Sequence, residues 1–425
     1  MKIDYGKTGM EFSLDPNWKI DIFNPKEQRQ IKKPIEKIRK AIRNPIGSLP
    51  LENIIKQKKL ERINKVCIVV SDATRPVPSK FILKGLVSEL NSYGISDKKI
   101  KVLIATGLHR ASSEDELKRI VGEKLQKTIE IVDHVANDKG SLKYLGKTEE
   151  KVPIYINKHF IESDLRILTG YVEPHFFFGF SGGRKSIVPG IAGEETIRGN
   201  HSAKNISSPH AKFGTFEKNP MHQQALNIAK IVGVDFIVNV CINETHKITK
   251  ICAGGLHKAH EQLVKYQIKK VFKSIENPYD IVVCGNGGYP LDLNLYQAVK
   301  SMAIGEMGVK EGGTIISVNE LSDGIGQDNF KSLIFSGKPP KELYRKIINN
   351  EISVPDQWEI QILARILMKA DIYVVSSLKK HELGNIGLKF APSVEDAIYH
   401  ALKKHGSDSN ILILPHGPQI LPKMS

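Results

Sequence analysis

The strongest constraint on the fold is a repeated alternation of buried strand and helix. The apolar runs KVCIVVSD (65–72), IKVLIATG (100–107) and DLRILTGYVE (164–173) predict buried strands, and the segments between the first three predict helices. The alternation restarts at YDIVVCGNG (279–287), just after the turn at residues 277–278. Strands that alternate with helices are typical of a parallel sheet covered by helices. The sequence therefore predicts an α/β protein.

The chain has 425 residues, which is too many for one hydrophobic core. A hairpin at 235–255 and an amphipathic helix at 257–275 are predicted to close the first part, so we place the domain boundary after residue 276. This gives an N-terminal domain at 1–276 and a C-terminal domain at 277–425, whose last strand is allowed to return to the first domain. We expect two Rossmann-like α/β domains with the active site in the cleft between them.

The composition favours an enzyme that acts on a small anion. The formal net charge is +16, but the lysines are scattered over predicted helix faces without interleaved aromatic residues, which argues against nucleic-acid binding. A basic chain suits an anionic substrate and a phosphorylated cofactor. The start MKIDYGKTGMEF has no apolar signal region, and no run of 18 apolar residues occurs. We therefore expect a cytoplasmic protein without membrane contact.

The four cysteines are predicted to be buried free thiols. Cys67, Cys241, Cys252 and Cys284 are far apart and form no CxxC pair, and three of them lie in apolar runs typical of strands. This pattern argues against both a disulfide framework and a cysteine zinc site.

Polar and glycine residues follow four of the predicted strands. They form the segments SDATRP (71–76), ATGLHR (105–110), GYVEPH (170–175) and GNGGYP (285–290). Ligands of open α/β sheets bind beyond the carboxyl ends of the strands, so these segments predict a site.

Two familiar phosphate motifs fail. A P-loop requires GxxxxGK[ST], and Gly179, Lys185 and Ser186 fit, but Arg184 occupies a position that needs glycine. The dinucleotide fingerprint GxGxxG fails at Pro290. Neither an NTPase nor an ordinary NAD enzyme is favoured.

Three histidines and one lysine stand out from the rest by their positions. Most histidines are expected to be solvated or satisfied in the core, but His109, His175 and His201 lie at strand ends or beside the glycine-rich loop. A pair of them suits acid–base catalysis, and a third suits a transition metal. Lys185 is open to two interpretations, a surface or phosphate-contacting residue and an amine that binds a cofactor covalently.

Other candidates are placed for binding. Arg75 follows a strand in a turn stiffened by prolines and suits a carboxylate or phosphate. Gln297 and Lys300 share one face of a predicted helix and suit a substrate carboxylate. Of the rings in the run 176–178, at least one is expected in the core and another against a flat ligand.

Long sequence blocks resemble the lactate racemase family, the nickel-pincer-dependent 2-hydroxyacid racemases. The blocks are SDATRPVP, ATGLHR, EPHFFFGFSGGRKSIVPGIAG, RGNHS, NGGYPLDLNLYQAVK, EGGTIISV and PDQW. The resemblance extends over essentially the whole chain.

The resemblance implies a pyridinium mononucleotide with two sulfur-containing arms that bind nickel. It implies that Lys185 carries this cofactor, that His201 binds the nickel, and that His109 and His175 are the catalytic acid and base. The implied cofactor-binding residues are Lys185, Asp72, Ala73, Thr74, Arg75, Phe176 and Tyr296. The implied substrate-binding residues are Arg75, Gln297, Lys300 and Trp358. The implied partners are cofactor-synthesis and nickel-insertion proteins, and a homodimer is a further expectation.

The sequence departs from the family pattern at three positions. Ala73 stands where close relatives have histidine, Pro174 where they have serine, and Phe178 where they have alanine. Lactate is the expected substrate because Tyr296 and Trp358 are present. The alternatives are a bulkier 2-hydroxyacid, a two-base racemase or epimerase that works through a carbanion, and a non-catalytic anion sensor.

Overall fold

The computed structural model describes all 425 residues, which divide into two compact units. Unit 1 comprises Met1–Glu27, Ile206–Ser208 and Ile268–Ser425, and unit 2 comprises Gln28–Asn205 and Pro209–Gln267. The division differs from the predicted one, because residues 1–27 and 268–276 lie in unit 1 rather than with the first domain.

The strands, in chain order, are β1 (Lys2–Ile3), β2 (Met10–Glu11), β3 (Lys19–Ile22), β4 (Val66–Ser71), β5 (Ile100–Ala105), β6 (Glu130–Asp133), β7 (Leu142–Lys147), β8 (Pro153–Asn157), β9 (Leu165–Tyr171), β10 (Pro174–His175), β11 (Gly179–Phe180), β12 (Phe236–Ile242), β13 (Ile248–Gly254), β14 (Phe272–Ile275), β15 (Tyr279–Gly285), β16 (Val309–Val318), β17 (Asp371–Val375), β18 (Lys389–Phe390), β19 (Asn410–Leu414) and β20 (Leu421–Met424).

The helices are α1 (Pro34–Arg43), α2 (Leu51–Lys58), α3 (Ser79–Ser92), α4 (Glu114–Val121), α5 (Glu123–Gln126), α6 (Lys158–Ile161), α7 (Glu194–Asn200), α8 (Ala203–Ile206), α9 (Pro220–Val232), α10 (Lys258–Val271), α11 (Leu295–Gly308), α12 (Asp328–Ile334), α13 (Pro340–Ile348), α14 (Gln357–Lys369) and α15 (Val394–His405). None of them is both long and apolar enough to span a membrane.

Unit 2 is built on a six-stranded sheet with the order β13-β12-β9-β4-β5-β6. The pairs from β12 to β6 are parallel, and β13 joins β12 as the antiparallel half of the predicted hairpin. The chain runs outward from β4 to β6 and then returns to the other side of β4 at β9. The sheet therefore has its topological switch point between β4 and β9, where a ligand site is expected.

Unit 1 is built on a parallel six-stranded sheet with the order β18-β17-β16-β15-β19-β3. Residues of β15, β16 and β19 form its core with α15, and the N-terminal Ile3 and Phe12 pack there as well. This packing, together with the pairing of β3 and β19, explains why the first 27 residues belong to unit 1.

Local signals in the sequence explain several element boundaries. Ser113 forms the capping box of α4 with Glu116. Asn219 accepts the first backbone N–H groups of α9, which has Pro220 in its first turn. The predicted hairpin turns between Ile242 and Ile248. All four cysteines are free and buried, which confirms that prediction.

One boundary near the end of the first predicted domain differs from the structure. The helix predicted at roughly 257–275 ends at Val271, because Phe272–Ile275 pair in parallel with β20. The strand predicted at 410–415 is β19, which lies next to β15 in unit 1. The helix boundary depends on strand pairing between residues far apart in the chain, which local periodicity does not report.

Candidate active site

The buried Asp72 and the half-buried His109 form a pair in unit 2. Asp72 directly follows β4, and His109 lies in the turn after β5, where its backbone N–H donates to the carbonyl of Thr106. The Nδ1 atom of His109 lies 2.7 Å from Oδ2 of Asp72. The hydroxyl of Thr74 donates to the other carboxylate oxygen at 2.8 Å. The two strand ends thus bring together a carboxylate and an imidazole.

The charge state of Asp72 follows from its neighbours. Burial raises the pKa of a carboxyl group, but the His109 ring, Arg75 and the Thr74 hydroxyl together hold the pKa of Asp72 below its usual value. Asp72 is therefore ionised and accepts the Nδ1–H of His109. Imidazole with a carboxylate on Nδ1 has its Nε2 available as a base, as in other carboxylate–histidine pairs.

The other residues of the first strand-end segment surround this pair. Ala73 is buried, and its carbonyl accepts a hydrogen bond from Arg119. Arg75 is half-buried and close enough to Asp72 to lower its pKa. A guanidinium at the edge of the sheet is suited to an anionic group.

His175 lies in β10, beyond the end of β9, and is held by its own loop. Its Nδ1 accepts the backbone N–H groups of Phe177 at 3.5 Å and Phe178 at 3.3 Å. Its ring stacks on Phe176, with 4.9 Å between the centroids and 22° between the planes. Backbone and aromatic contacts therefore fix the imidazole.

The ring of Phe178 lies among the lysine and two of the histidines. The Nζ of Lys185 is 4.6 Å from its centroid, and the rings of His201 and His175 are centred 5.5 Å and 5.9 Å away. Phe176, Phe177 and Phe178 are all buried, so the whole run belongs to the core of the loop. The structure thus gathers Lys185, His175 and His201 around one aromatic side chain.

His201 is a neutral imidazole at the end of α7. It caps α7, and its Nδ1 donates to the carbonyl of Ile197 at 3.1 Å. Burial, with a contribution from Lys185, lowers the pKa of His201 to about 3. A neutral imidazole whose Nδ1 binds a carbonyl has Nε2 as its metal-binding nitrogen, a common arrangement at metal sites.

The loop between His175 and Lys185 is held by Arg184, which is 1% exposed. Its guanidinium donates to the carbonyls of Gly182 at 3.1 Å and Phe178 at 3.0 Å. Burial lowers the pKa of Arg184 to about 9. The arginine that breaks the P-loop pattern is therefore an internal brace of the loop.

Three polar side chains from other elements complete this support. Asn239 of β12 accepts the N–H of Gly183 at 2.7 Å, and Asn219 donates to the carbonyl of Phe177 at 2.8 Å. His260 of α10 lies with Nε2 2.7 Å from the carbonyl of Ser181. The supporting roles of Arg184 and these three residues were not predicted from the sequence, in which only the unusual density of glycine and polar residues near 179–186 indicates a supported loop.

The paired glycines of this loop allow it to pack closely. Gly182 and Gly183 have φ values of +76° and +53°, which residues with side chains rarely adopt. A Cβ on Gly183 would lie 2.8 Å from the His260 ring, and one on Gly182 would lie 2.8 Å from Val172. The glycines therefore permit close packing within the protein.

The remaining predicted residues lie in unit 1. Tyr296 at the start of α11 donates its hydroxyl to Asp356 at 3.1 Å and accepts the indole N–H of Trp358 at 3.0 Å. Burial and Asp356 raise the pKa of Tyr296 well above its usual value, so the phenol stays protonated. Asp356 has a φ of +65°, an uncommon conformation that side-chain contacts here stabilise.

Gln297 and Lys300 follow Tyr296 on α11. Asn294 caps the helix by accepting the backbone N–H of Gln297, and Asn286 donates to the Gln297 carbonyl at 3.0 Å. Lys300 is buried. Of the four polar segments that follow predicted strands, three follow strands of the sheet in unit 2. The fourth, which contains Asn286, follows β15 in the sheet of unit 1.

Comparison with known proteins identifies the family. The profile of the lactate racemase N-terminal domain matches residues 5–214, and that of the lactate racemase C-terminal domain matches residues 275–421. A lactate racemase of Thermoanaerobacterium thermosaccharolyticum is 36% identical and covers 99% of this chain and 98% of its own length. A lactate racemase of Lactiplantibacillus plantarum is 38% identical over 91% of both chains.

Solved structures agree with these matches. The lactate racemase apoprotein from Thermoanaerobacterium thermosaccharolyticum has a TM-score of 0.90 at 35% identity and covers 99% of both chains. A protein from Thermotoga maritima, with a TM-score of 0.72 at 19% identity, covers 92% of this chain and 98% of its own and is similar in fold alone. The chain therefore belongs to the lactate racemase family and is an isomerase.

Proposed function

We propose that the protein interconverts D- and L-lactate in the cytoplasm through a hydride-transfer mechanism. Two observations in unit 2 carry this proposal: the Asp72–His109 pair, and the gathering of His175, Lys185 and His201 around Phe178. These residues supply proton transfer, an amine and a metal-binding imidazole at one end of one sheet. The family assignment supports lactate as the substrate.

The residues around Phe178 fit the nickel-pincer nucleotide that the family resemblance implies. No three histidine, cysteine, aspartate or glutamate side chains gather as a metal site in this chain, so a nickel ion at His201 needs ligands from a bound group. The pincer nucleotide brings sulfur and carbon ligands of its own. Lys185 has its Nζ on the same ring as His201, which suits an amine that anchors that group.

The chemistry of the substrate explains why such a group is needed. The hydrogen on C2 of a 2-hydroxycarboxylate is a poor acid, so its removal as a proton faces a high barrier. When bound, the pyridinium ring of that nucleotide would supply a hydride acceptor, and loss of the hydride and of the hydroxyl proton would turn lactate into a flat 2-ketoacid. That ketoacid has no stereocentre and can be reduced on either face.

The protein's own residues move the hydroxyl proton and hold the carboxylate. As the O–H bond of the substrate breaks, the proton moves to Nε2 of His109, and the ionised Asp72 stabilises the imidazolium that forms. We assign His175 to the hydroxyl of the opposite enantiomer. Arg75, Gln297, Lys300 and Trp358 are assigned to substrate binding, and Phe176, Tyr296 and residues 72–75 to the cofactor.

The test is to produce the protein together with cofactor-synthesis and nickel-insertion proteins. Intact mass should show a covalent adduct, and chiral analysis should show racemisation of either lactate enantiomer. The same preparation is offered 2-hydroxyacids with longer side chains. Adduct without turnover of lactate but with turnover of a longer acid would reassign the substrate, and no turnover of any 2-hydroxyacid would refute the proposal.

A further inference from the structure

In the two histidines assigned to proton transfer, Nδ1 has opposite hydrogen-bonding roles. In His109 the partner of Nδ1 is the carboxylate of Asp72, at 2.7 Å. The pKa of Asp72 is held below its usual value, so this carboxylate is ionised and only accepts hydrogen bonds. The hydrogen of the neutral His109 ring is therefore on Nδ1, and Nε2 is unprotonated.

In His175 the partners of Nδ1 are two hydrogen-bond donors. The backbone N–H groups of Phe177 and Phe178 point at this nitrogen from 3.5 Å and 3.3 Å, and a backbone N–H only donates. Nδ1 must therefore offer its lone pair. A neutral imidazole has one N–H, so in His175 the hydrogen is on Nε2.

We infer that the resting enzyme is asymmetric: His109 is set as the proton acceptor, whereas His175 is set as a hydrogen-bond donor through Nε2–H. This inference rests on the proposed function for its kinetic meaning, but the tautomers themselves do not depend on it. The enantiomer whose hydroxyl faces His109 loses its proton without rearrangement. His175 accepts a proton at Nε2 only after a hydrogen has moved to Nδ1, which breaks its contacts with Phe177 and Phe178.

The asymmetry has a defined kinetic signature. Two enantiomers have equal free energy, so the equilibrium constant is one and kcat/KM must be the same in both directions. The difference between the two histidines therefore appears as unequal kcat values that unequal KM values compensate. Loss of two long hydrogen bonds predicts kcat values that differ roughly threefold or more.

The direct test uses long-range proton–nitrogen NMR of cofactor-free protein labelled with ¹⁵N-histidine, at pH 8. Signals are assigned by their loss in His109→Gln and in His175→Gln. We expect the Nδ1–H pattern for His109 and the Nε2–H pattern for His175. In Asp72→Asn the His109 pattern should change and the His175 pattern should not.

A His175 ring that shows the Nδ1–H pattern, two protonated nitrogens or a mixture of tautomers would overturn the inference. So would equal kcat values for the two enantiomers in loaded protein. Because the NMR measurement needs neither cofactor nor turnover, a protein that shows the expected tautomers without racemising lactate would refute the proposed function and leave the tautomer assignment standing.

Discussion

The Nδ1 atom of His109 is 2.7 Å from a carboxylate oxygen of Asp72, and this contact joins the ends of two neighbouring parallel strands. Replacing Asp72 with asparagine keeps the size of the side chain but removes the charge that stabilises a His109 imidazolium. We expect racemisation to fall roughly 10²- to 10⁴-fold, the range associated with loss of acid–base catalysis. Chiral analysis of lactate turnover by loaded protein measures this.

The matched control for Asp72 is Thr74→Ser, which keeps the hydroxyl that donates to Asp72. That variant should stay within a few fold of the parent. An Asp72→Asn protein with parental turnover would show that the carboxylate has no part in proton transfer.

Lys185 is predicted to be the attachment point of the cofactor. Lys185→Ala should fold normally and lack the covalent adduct in intact-mass spectra, because its Nζ, which lies over the Phe178 ring, is the proposed nucleophile. Lys212→Ala, at an exposed position of the same unit, is the matched control and should keep the adduct. An adduct that persists in Lys185→Ala and maps to another residue would contradict the assignment.

His201 is predicted to bind nickel. His201→Ala should lower the nickel content of loaded protein, measured by plasma mass spectrometry, while the mass adduct at Lys185 remains. The physical reason is the loss of the one imidazole whose Nδ1 is already occupied by a backbone carbonyl. His210→Ala, at an exposed histidine, serves as the control. Full nickel occupancy in His201→Ala would exclude this role.

The stability of unit 2 is predicted to fall as the pH is lowered below about 6.5. Burial lowers the pKa of His134 to about 4 and that of His260 to about 3. Unfolded chains take up these protons near pH 6.5 and the folded unit does not, so the stabilisation is complete above that pH and is lost on acidification. Between pH 6.5 and its lowered pKa, each histidine reduces the free energy of unfolding by about 1.4 kcal/mol for every unit by which the pH falls.

Urea unfolding between pH 7.5 and pH 5.5 measures this dependence before most carboxylates titrate. His134→Gln should be less stable at pH 7.5, because its contact with the carbonyl of Ala192 is altered, but its stability should depend less steeply on pH. A free energy of unfolding that is constant over this range would contradict the prediction.

Local chemistry made much of the fold predictable. The buried run in β4 and the hairpin that turns after Ile242 depend on residues close in the chain, and both were predicted. The edge strand β3 was not, because its KIDI sequence is mostly exposed and forms a strand only by pairing with β19. Pairing between distant segments is the part of the fold that periodicity does not contain.

The candidate site was predictable in its residue types but not in its support. Histidines at strand ends are visible in the sequence, and so is Lys185 behind its glycines. Arg184 was considered only as a mismatch to a phosphate motif, whereas it donates to the carbonyls of its own loop. Gly182 and Gly183, in the same loop, have positive φ values.

The most direct test of the proposed mechanism follows the hydrogen on C2 of the substrate. L-lactate deuterated at C2 is incubated in ordinary water with protein that carries the adduct, and the D-lactate formed is analysed by mass spectrometry. If the hydrogen moves as hydride to a bound group that does not exchange with water, the product should keep its deuterium. A carbanion mechanism passes the hydrogen through a histidine as a proton, which exchanges with solvent. D-lactate that has lost most of its deuterium would therefore contradict hydride transfer and support proton abstraction by His109 and His175.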